Sequence, residues 1–220
     1  MKKYLLIVLI TITFSVLLIS CSGGVVNLVK NNMSDIRFTY FEGQSLEYSC
    51  SLSCGLREEV YEYNGISTKN VECGVVSLAF KEAKNFIFLE IELFVNNEKI
   101  ECILELSPYE NEYMGDIQKN IPNNADVRIK LKDQSQEPSL LHPVSNIWEI
   151  DCDKALKIGV DYYKDTIKAL YFNKVFHGEC YLKPISKFGY NKIFWYFSVI
   201  DMGSNIKNCL IDVNTGQIIS

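Results

Sequence analysis

Cysteine and histidine are the side chains in this sequence that could carry nucleophilic or metal chemistry. Cysteines occupy positions 21, 50, 54, 73, 102, 152, 180 and 209, and the two histidines are His142 and His177. A zinc site needs clustered cysteines or histidines at set spacing, and His177 with Cys180 supplies only half of such a set. The sequence therefore predicts no metal site, and nothing in it indicates a cofactor.

A cysteine–histidine nucleophile pair stays open as an alternative, because such partners meet in space rather than in sequence. His177 beside Cys180 or Cys152 is the local candidate. The reading that we favour is a surface histidine in the turn before Gly178. The chain has no GxSxG, HExxH or phosphate-binding glycine motif. The sequence thus assigns no catalytic residue.

Disulfide bonding is the other use of these cysteines. Seven of them follow Cys21, so at least one thiol is free or joined to another chain. Cys73 and Cys102 stand in apolar strand-like runs, where cysteine packs as a small hydrophobic residue, and we expect both to be buried and reduced. Cys50 and Cys54 form the candidate local disulfide.

The first 20 residues are typical of an export signal. Met1-Lys2-Lys3 is basic, and the apolar run Leu5 to Ile19 is shorter than the roughly 20 residues that span a bilayer. The run ends in Leu18-Ile19-Ser20-Cys21, which resembles the lipobox of bacterial lipoproteins. The resemblance implies cleavage before Cys21, lipidation of its sulfur and an extracytoplasmic, lipid-anchored location on the cell membrane. The alternative is an ordinary signal peptide, or an uncleaved anchor, with a chance cysteine.

Composition and charge exclude two other classes of protein. With 48% hydrophobic and 22% charged residues, the chain is too apolar for a disordered protein and ordinary for a globular one. The net charge of −5 argues against nucleic acid as a partner.

The N-terminal half shows strand patterns after a short tether. Residues 21–40 have no clear periodicity and are predicted to be the tether. From residue 41 to 133, short alternating segments predict strands: Tyr48, Cys50 and Leu52 share one face, and Asn96-Asn97-Glu98-Lys99 makes the turn of a hairpin. We therefore predict an antiparallel β-sandwich of immunoglobulin or fibronectin type over residues 41–133.

A change of pattern marks the C-terminal half. Residues 134–145 contain two prolines and several polar residues, which is typical of a linker. Asp151 is a predicted N-cap, followed by apolar residues at helical spacing. Strands are predicted at about 178–184, 192–200 and 205–213, which makes residues 146–220 a small α+β domain with one helix and an antiparallel sheet.

This C-terminal region resembles the PepSY-like family. The resemblance covers about 75 residues and rests on three segments, Trp148-Glu149-Ile150-Asp151-Cys152-Asp153-Lys154-Ala155-Leu156-Lys157-Ile158, Ile193-Phe194-Trp195-Tyr196-Phe197-Ser198-Val199 and Asp212-Val213-Asn214-Thr215-Gly216-Gln217-Ile218. One departure is Gly159, where the family often has alanine. The resemblance implies a small extracytoplasmic module that inhibits or regulates peptidases or binds partners, with no catalytic residues to carry over.

These observations predict a non-enzymatic cell-envelope lipoprotein with a binding or regulatory role, through a protein or peptide partner. The alternatives are a peptidase inhibitor or enzyme accessory acting on a neighbouring envelope protein, and a purely structural envelope protein. Both faces of the strand at 193–200 are apolar, whereas a sheet covered by one helix leaves a polar face. Trp195 and Tyr196, on opposite faces, are therefore the candidate partner-binding residues, unless the chain itself covers them.

Overall fold

Strands dominate the fold, with 56% of the described residues in strands and 16% in helices. The computed structural model describes residues 24–59, 69–84, 86–108, 112–132, 135, 137–187 and 192–219. The strands are β1 (Met33–Gln44), β2 (Tyr48–Glu58), β3 (Asn70–Phe80), β4 (Phe88–Val95), β5 (Glu98–Leu106), β6 (Tyr113–Ile117), β7 (Val127–Leu131), β8 (Ser139–Pro143), β9 (Tyr171–Phe172), β10 (Val175–Phe176), β11 (Gly178–Lys187), β12 (Lys192–Asp201), β13 (Ile206–Asp212) and β14 (Ile218–Ile219). The helices are α1 (residues 24–30), a 3-10 turn (Val144–Ile147), α2 (Cys152–Tyr162) and α3 (Lys164–Ala169).

Eight antiparallel strands close into a barrel. Their order around the barrel is β1-β2-β3-β6-β5-β4-β7-β8, and β8 returns to β1 through the pairs Phe41–Pro143 and Glu42–His142. Alternate residues of each strand point inward, so that apolar side chains such as Leu52, Leu78 and Ile91 are fully buried and fill the interior. The barrel interior is thus a packed core.

Strand β1 belongs to two structures at once. Its C-terminal half closes the barrel, and its N-terminal half pairs in parallel with β11, from Met33–Cys180 to Ile36–Leu182. A bulge between Arg37 and Thr39 separates the two halves. The sheet therefore continues without a break from the barrel into β11, β12, β13 and β14.

A second core, the helix-side core, lies between the sheet formed by β11 to β14 and the helices. Helix α2 starts at its predicted N-cap, where the Asp151 carboxylate accepts a hydrogen bond from the Lys154 amide at 2.8 Å. Its buried face, which includes Ala155 and Leu156, packs with Phe197 and with Val29 of α1. The third segment of the PepSY-like resemblance forms a turn, with Gly216 at φ +72° and Asp212 accepting bonds from the Asn214 and Thr215 amides.

The predicted sandwich is wrong, and so is the separate helix-plus-sheet domain. The finding that overturns both is the closed eight-stranded barrel, whose β1 strand runs on into the C-terminal sheet. Sandwiches and barrels share the same inward–outward alternation along each strand, so the pattern could not distinguish them. The hairpin at Asn96 and Asn97 is confirmed, with both residues at positive φ.

The predicted tether and linker also need correction. Residues 24–30 are helical and residues 33–44 form β1, the strand that joins the two cores. Met33 through Arg37 are buried on both faces, which removes the alternation by which a strand is recognised. Residues 139–143 of the predicted linker form β8, with Pro143 at its end. Among the described residues, no helix is both long and apolar enough to cross a membrane.

Candidate functional site

The predicted contact residues Trp195 and Tyr196 differ in their exposure. Trp195 is 1% exposed and its Nε1 donates a hydrogen bond of 2.7 Å to the carbonyl oxygen of Ile150, so it is a core residue under α2. Its ring packs edge-on against Trp148 at 5.3 Å between centroids. Tyr196 is half-buried. Of the two, Tyr196 alone retains surface that a partner could touch.

The described cysteines are free thiols, all of them buried except the half-buried Cys152, rather than a disulfide framework. All seven cysteines among the described residues are free, including Cys50 and Cys54, which both face the barrel interior. Four residues along one strand span about 13 Å, well beyond the reach of a disulfide. The candidate Cys50–Cys54 bridge is therefore absent. Cys73 and Cys102 are buried and free, as predicted.

The candidate nucleophile pair is not assembled. The His177 ring stacks on Phe172, with 3.8 Å between centroids, while Cys180 lies in the helix-side core. No hydrogen bond joins His177 to a cysteine within the part of the chain that the structure describes. In the same ranges no three His, Cys, Asp or Glu side chains are placed to hold a metal ion. Cys21 lies outside the described residues.

A groove on the outer surface of the barrel is the strongest candidate site. It consists of two clefts, of about 780 and 710 Å³, that share Tyr40, Ser51, Ser77, Glu112 and Ser186. The floor is the outer face of strands β1, β2, β3 and β6. Residues 183–186 of β11 form the opposite wall.

Strand register explains the direction of this groove. Successive strand pairs place six groove residues in one transverse row, His142, Glu42, Ser51, Ser77, Met114 and Glu105. With neighbouring strands about 4.8 Å apart, the row measures about 24 Å along the curved surface of the barrel. The groove therefore crosses the strands of the barrel rather than following one of them.

Small side chains make the floor low enough for a groove. A second row, parallel to the first, contains Tyr40, Ser53, Val75 and Asp116. Ser51, Ser53 and Ser77, which face outward from β2 and β3, are short. Larger residues at the two rims leave the serines recessed between them.

Two ion pairs fix charged residues at one end of the groove. Arg57 donates two hydrogen bonds to the Asp116 carboxylate, at 3.2 and 2.8 Å. Arg37 forms an ion pair with Asp35, with 2.6 Å between Nε and Oδ1, and both side chains are at least 96% buried. Bidentate and buried pairs of this kind hold their side chains in one position, so this end of the groove is preformed.

Glu42 has a different environment at the other end. Burial raises the pKa of its carboxyl above the ordinary value, and the hydrogen bond with Tyr40 opposes that shift. Burial also raises the pKa of Tyr40 far above its usual range. Near the centre, the Ser77 hydroxyl donates to the Glu112 carboxylate. The lining is thus rich in hydroxyl and carboxylate groups.

The β11 wall presents an unpaired strand edge. Pro184 pairs with Trp195 of β12 and has no N–H, so it occupies a non-hydrogen-bonded position of that ladder. Its carbonyl and the main-chain groups of Ser186 therefore point away from β12, toward the groove side. Beyond Leu182 no described strand pairs with this edge. Proline at this position removes one donor from the edge.

Sequence reasoning missed this groove. Its residues come from β1, β2, β3, β5, β6, β8 and β11, and only the barrel register brings them together. One signal was present: the outward face of β2 carries Ser49, Ser51 and Ser53 where exposed strands usually carry longer polar side chains. Comparisons of the chain with protein-family models, with curated proteins and with solved structures gave no match.

Proposed function

We propose that this protein is a lipid-anchored, non-enzymatic cell-envelope protein that binds an extended peptide segment of a partner protein in the barrel groove. The observation that carries the proposal is the groove itself, two adjoining clefts that share five lining residues and lie beside the unpaired edge of β11. Hydroxyl and carboxylate groups along the row supply hydrogen bonds to a peptide. Recognition through the outer face also fits a barrel whose interior is already filled by its own side chains.

The mixed lining supports a peptide over a small molecule. Small-molecule sites bury most of their ligand in a concave, mainly apolar pocket. This groove is instead lined by hydroxyl and carboxylate groups together with the apolar residues Val75, Ile103, Met114 and Ile185. Such a lining can hydrogen-bond a peptide main chain and also contact apolar side chains.

The membrane anchor is part of the proposal and rests on the lipobox at Leu18-Ile19-Ser20-Cys21. Helix α1 begins by residue 24, and Val25, Val26 and Val29 pack into the helix-side core. A lipid on Cys21 would therefore hold the folded body within about 10 Å of the bilayer surface, since three residues span no more than that. The partner segment would be met close to the membrane.

A groove-blocking variant tests the binding proposal. Ser51→Phe places a ring on the groove floor, and Asn208→Phe places the same ring on exposed β13 as the matched control. Peptides enriched on the parent protein from a displayed library of random ten-residue sequences should lose binding to Ser51→Phe and keep it for Asn208→Phe. Enriched peptides that bind all three proteins equally would refute the groove as the site.

The anchor has its own test. Metabolic labelling with a fatty acid should label the parent protein and leave Cys21→Ala unlabelled, because the variant lacks the thiol that accepts the lipid. Label retained by Cys21→Ala would contradict the lipobox assignment while leaving the groove proposal intact.

A further inference from the structure

The charge of the groove indicates what kind of peptide it takes. Five carboxylates and three cations line the two clefts, namely Asp35, Glu42, Glu105, Glu112 and Asp116, with Arg37, Arg57 and Lys183. Four of these eight are committed to each other in the ion pairs Asp35–Arg37 and Arg57–Asp116. Lys183 is then the one lining cation outside these pairs among the described residues, against Glu42 and Glu105.

The glutamates are distributed along the groove. Glu42 and Glu105 lie on the transverse row, four strand steps apart along the curved surface of the barrel. Glu42 lines one cleft and Glu105 the other, and Glu112 lines both and accepts a bond from Ser77. A segment with more than one lysine or arginine can therefore meet carboxylates in both clefts.

Partial burial of the Glu42 carboxylate also favours a basic ligand side chain. Its carboxylate is half-buried, and no described lysine or arginine forms an ion pair with it. A carboxylate withdrawn from water without a cation is destabilised in its charged form. A cation delivered by a ligand would relieve that penalty, so Glu42 gains more from a basic side chain than a fully solvated glutamate does.

Apolar contacts define the residues between the basic ones. Ile103 and Met114 are exposed outward from β5 and β6 on diagonal positions beside Glu105, and Ile185 faces them from the β11 wall. An exposed apolar strip beside carboxylates favours a peptide that alternates basic with aliphatic side chains.

We propose that the groove selects a cationic extended segment, in which lysine or arginine residues are separated by aliphatic ones. This inference rests on the proposed peptide-binding function and adds the chemistry of the partner. Complementary charge contributes to specificity and to the association rate as well as to affinity. Binding should therefore weaken as the salt concentration rises.

Three labelled peptides of equal length test the inference on the purified full-length chain. They are nine residues long and repeat Lys-Val-Ser, Gln-Val-Ser or Glu-Val-Ser, and binding is followed by fluorescence anisotropy. The lysine peptide should bind about tenfold more tightly than the glutamine peptide, and the glutamate peptide more weakly still. A glutamine or glutamate peptide that binds as well as the lysine peptide would overturn the charge assignment but leave peptide binding standing.

Matched charge-neutral variants locate the effect. The double variant Glu42→Gln with Glu105→Gln should weaken the lysine peptide about five- to tenfold and leave the glutamine peptide unchanged. The control, Glu82→Gln with Glu149→Gln, removes two exposed carboxylates outside the groove and should match the parent. Equal losses in both double variants would show a general charge effect and overturn the proposal. If none of the three peptides binds, the peptide-binding function itself is wrong.

Discussion

The guanidinium of Arg37 lies 2.6 Å from the carboxylate of Asp35, and the two side chains are 2% and 4% exposed. Arg37 also donates a hydrogen bond of 3.3 Å to the carbonyl oxygen of Ser53. This pair occupies β1 just before its bulge, where the strand leaves β11 and enters the barrel closure. It is the buried ion pair at the junction of the two cores.

Removing one member of this pair should destabilise the whole protein. Arg37→Met leaves Asp35 buried without its cation, which costs about 3–5 kcal/mol of unfolding free energy. Arg128→Met is the control, because Arg128 and Asp126 form an exposed pair that should contribute less than about 1 kcal/mol. Urea unfolding followed by tryptophan fluorescence measures both. Equal midpoints for the two variants would contradict the role given to the buried pair.

Gly159 of α2 should resist substitution by alanine, although alanine is the better helix former by about 1 kcal/mol. A Cβ at Gly159 would lie 2.4 Å from Cγ of Phe197, a fully buried ring. We expect Gly159→Ala to lower the melting temperature by several degrees, because the overpacked core costs about 1–3 kcal/mol.

Gly24→Ala provides the matched control for this substitution. Gly24 is also helical, and a Cβ there meets nothing within 4 Å. The melting temperature of the Gly24→Ala protein should equal or exceed that of the parent protein. A Gly159→Ala protein as stable as Gly24→Ala would show that Phe197 can move aside.

The barrel thiols should make stability depend on alkaline pH. Burial raises the pKa of Cys50 to about 12 and of Cys54 to about 11, from an ordinary value of 9.0. The folded state thus keeps protons that the unfolded state releases. The two thiols therefore contribute fully to the free energy of unfolding below about pH 9, and this contribution is lost as the pH rises toward 11 to 12.

Chemical denaturation at a series of pH values measures this effect. The double variant Cys50→Ala with Cys54→Ala should show a shallower alkaline decline than the parent, and the other buried thiols and tyrosines, among them Cys152, Cys180 and Tyr40, contribute to the remaining decline. Native-state alkylation at pH 8 should be slow at both positions and fast after unfolding. Rapid labelling of the folded protein at either cysteine would be incompatible with their burial.

Pro184 should protect the unpaired edge of β11 from pairing with another chain. Pro184→Val restores the main-chain donor and adds β-branching, so we expect concentration-dependent dimers in sedimentation velocity. Pro138→Val, in the segment before β8, should stay at the sedimentation coefficient of the parent. The protective role is disproved if both variants sediment alike at all concentrations.

Local patterns in the sequence were sufficient for the C-terminal elements. Asp151 caps α2 as predicted, and β11, β12 and β13 lie where the alternating segments placed them. Each of these elements is specified by neighbours a few residues away, through capping, helical spacing or strand alternation.

Barrel closure is different in kind, because it depends on one long-range pairing. The pair Phe41–Pro143 joins β1 to a segment whose prolines resemble a linker, and no local pattern encodes it. The candidate site also depends on long-range register: Glu42, Ser77 and Glu105 are distant in sequence and share one row only through the pairings of β1 with β2, β2 with β3, β3 with β6 and β6 with β5. Fold and site were thus missed for a common reason.

The double membership of β1 also sets the order in which the protein can fold as it is made. Residues 33–44 leave the ribosome early and can pair with β2 at once, yet the second partner of Phe41 arrives only at residue 143 and the partner of Met33 at residue 180. Closing such long loops is slow, and neither core is complete until most of the chain exists. One edge of the first strand of a growing chain therefore stays unpaired, and holding chaperones find Met33 and Ile36 uncovered until the rest of the chain arrives.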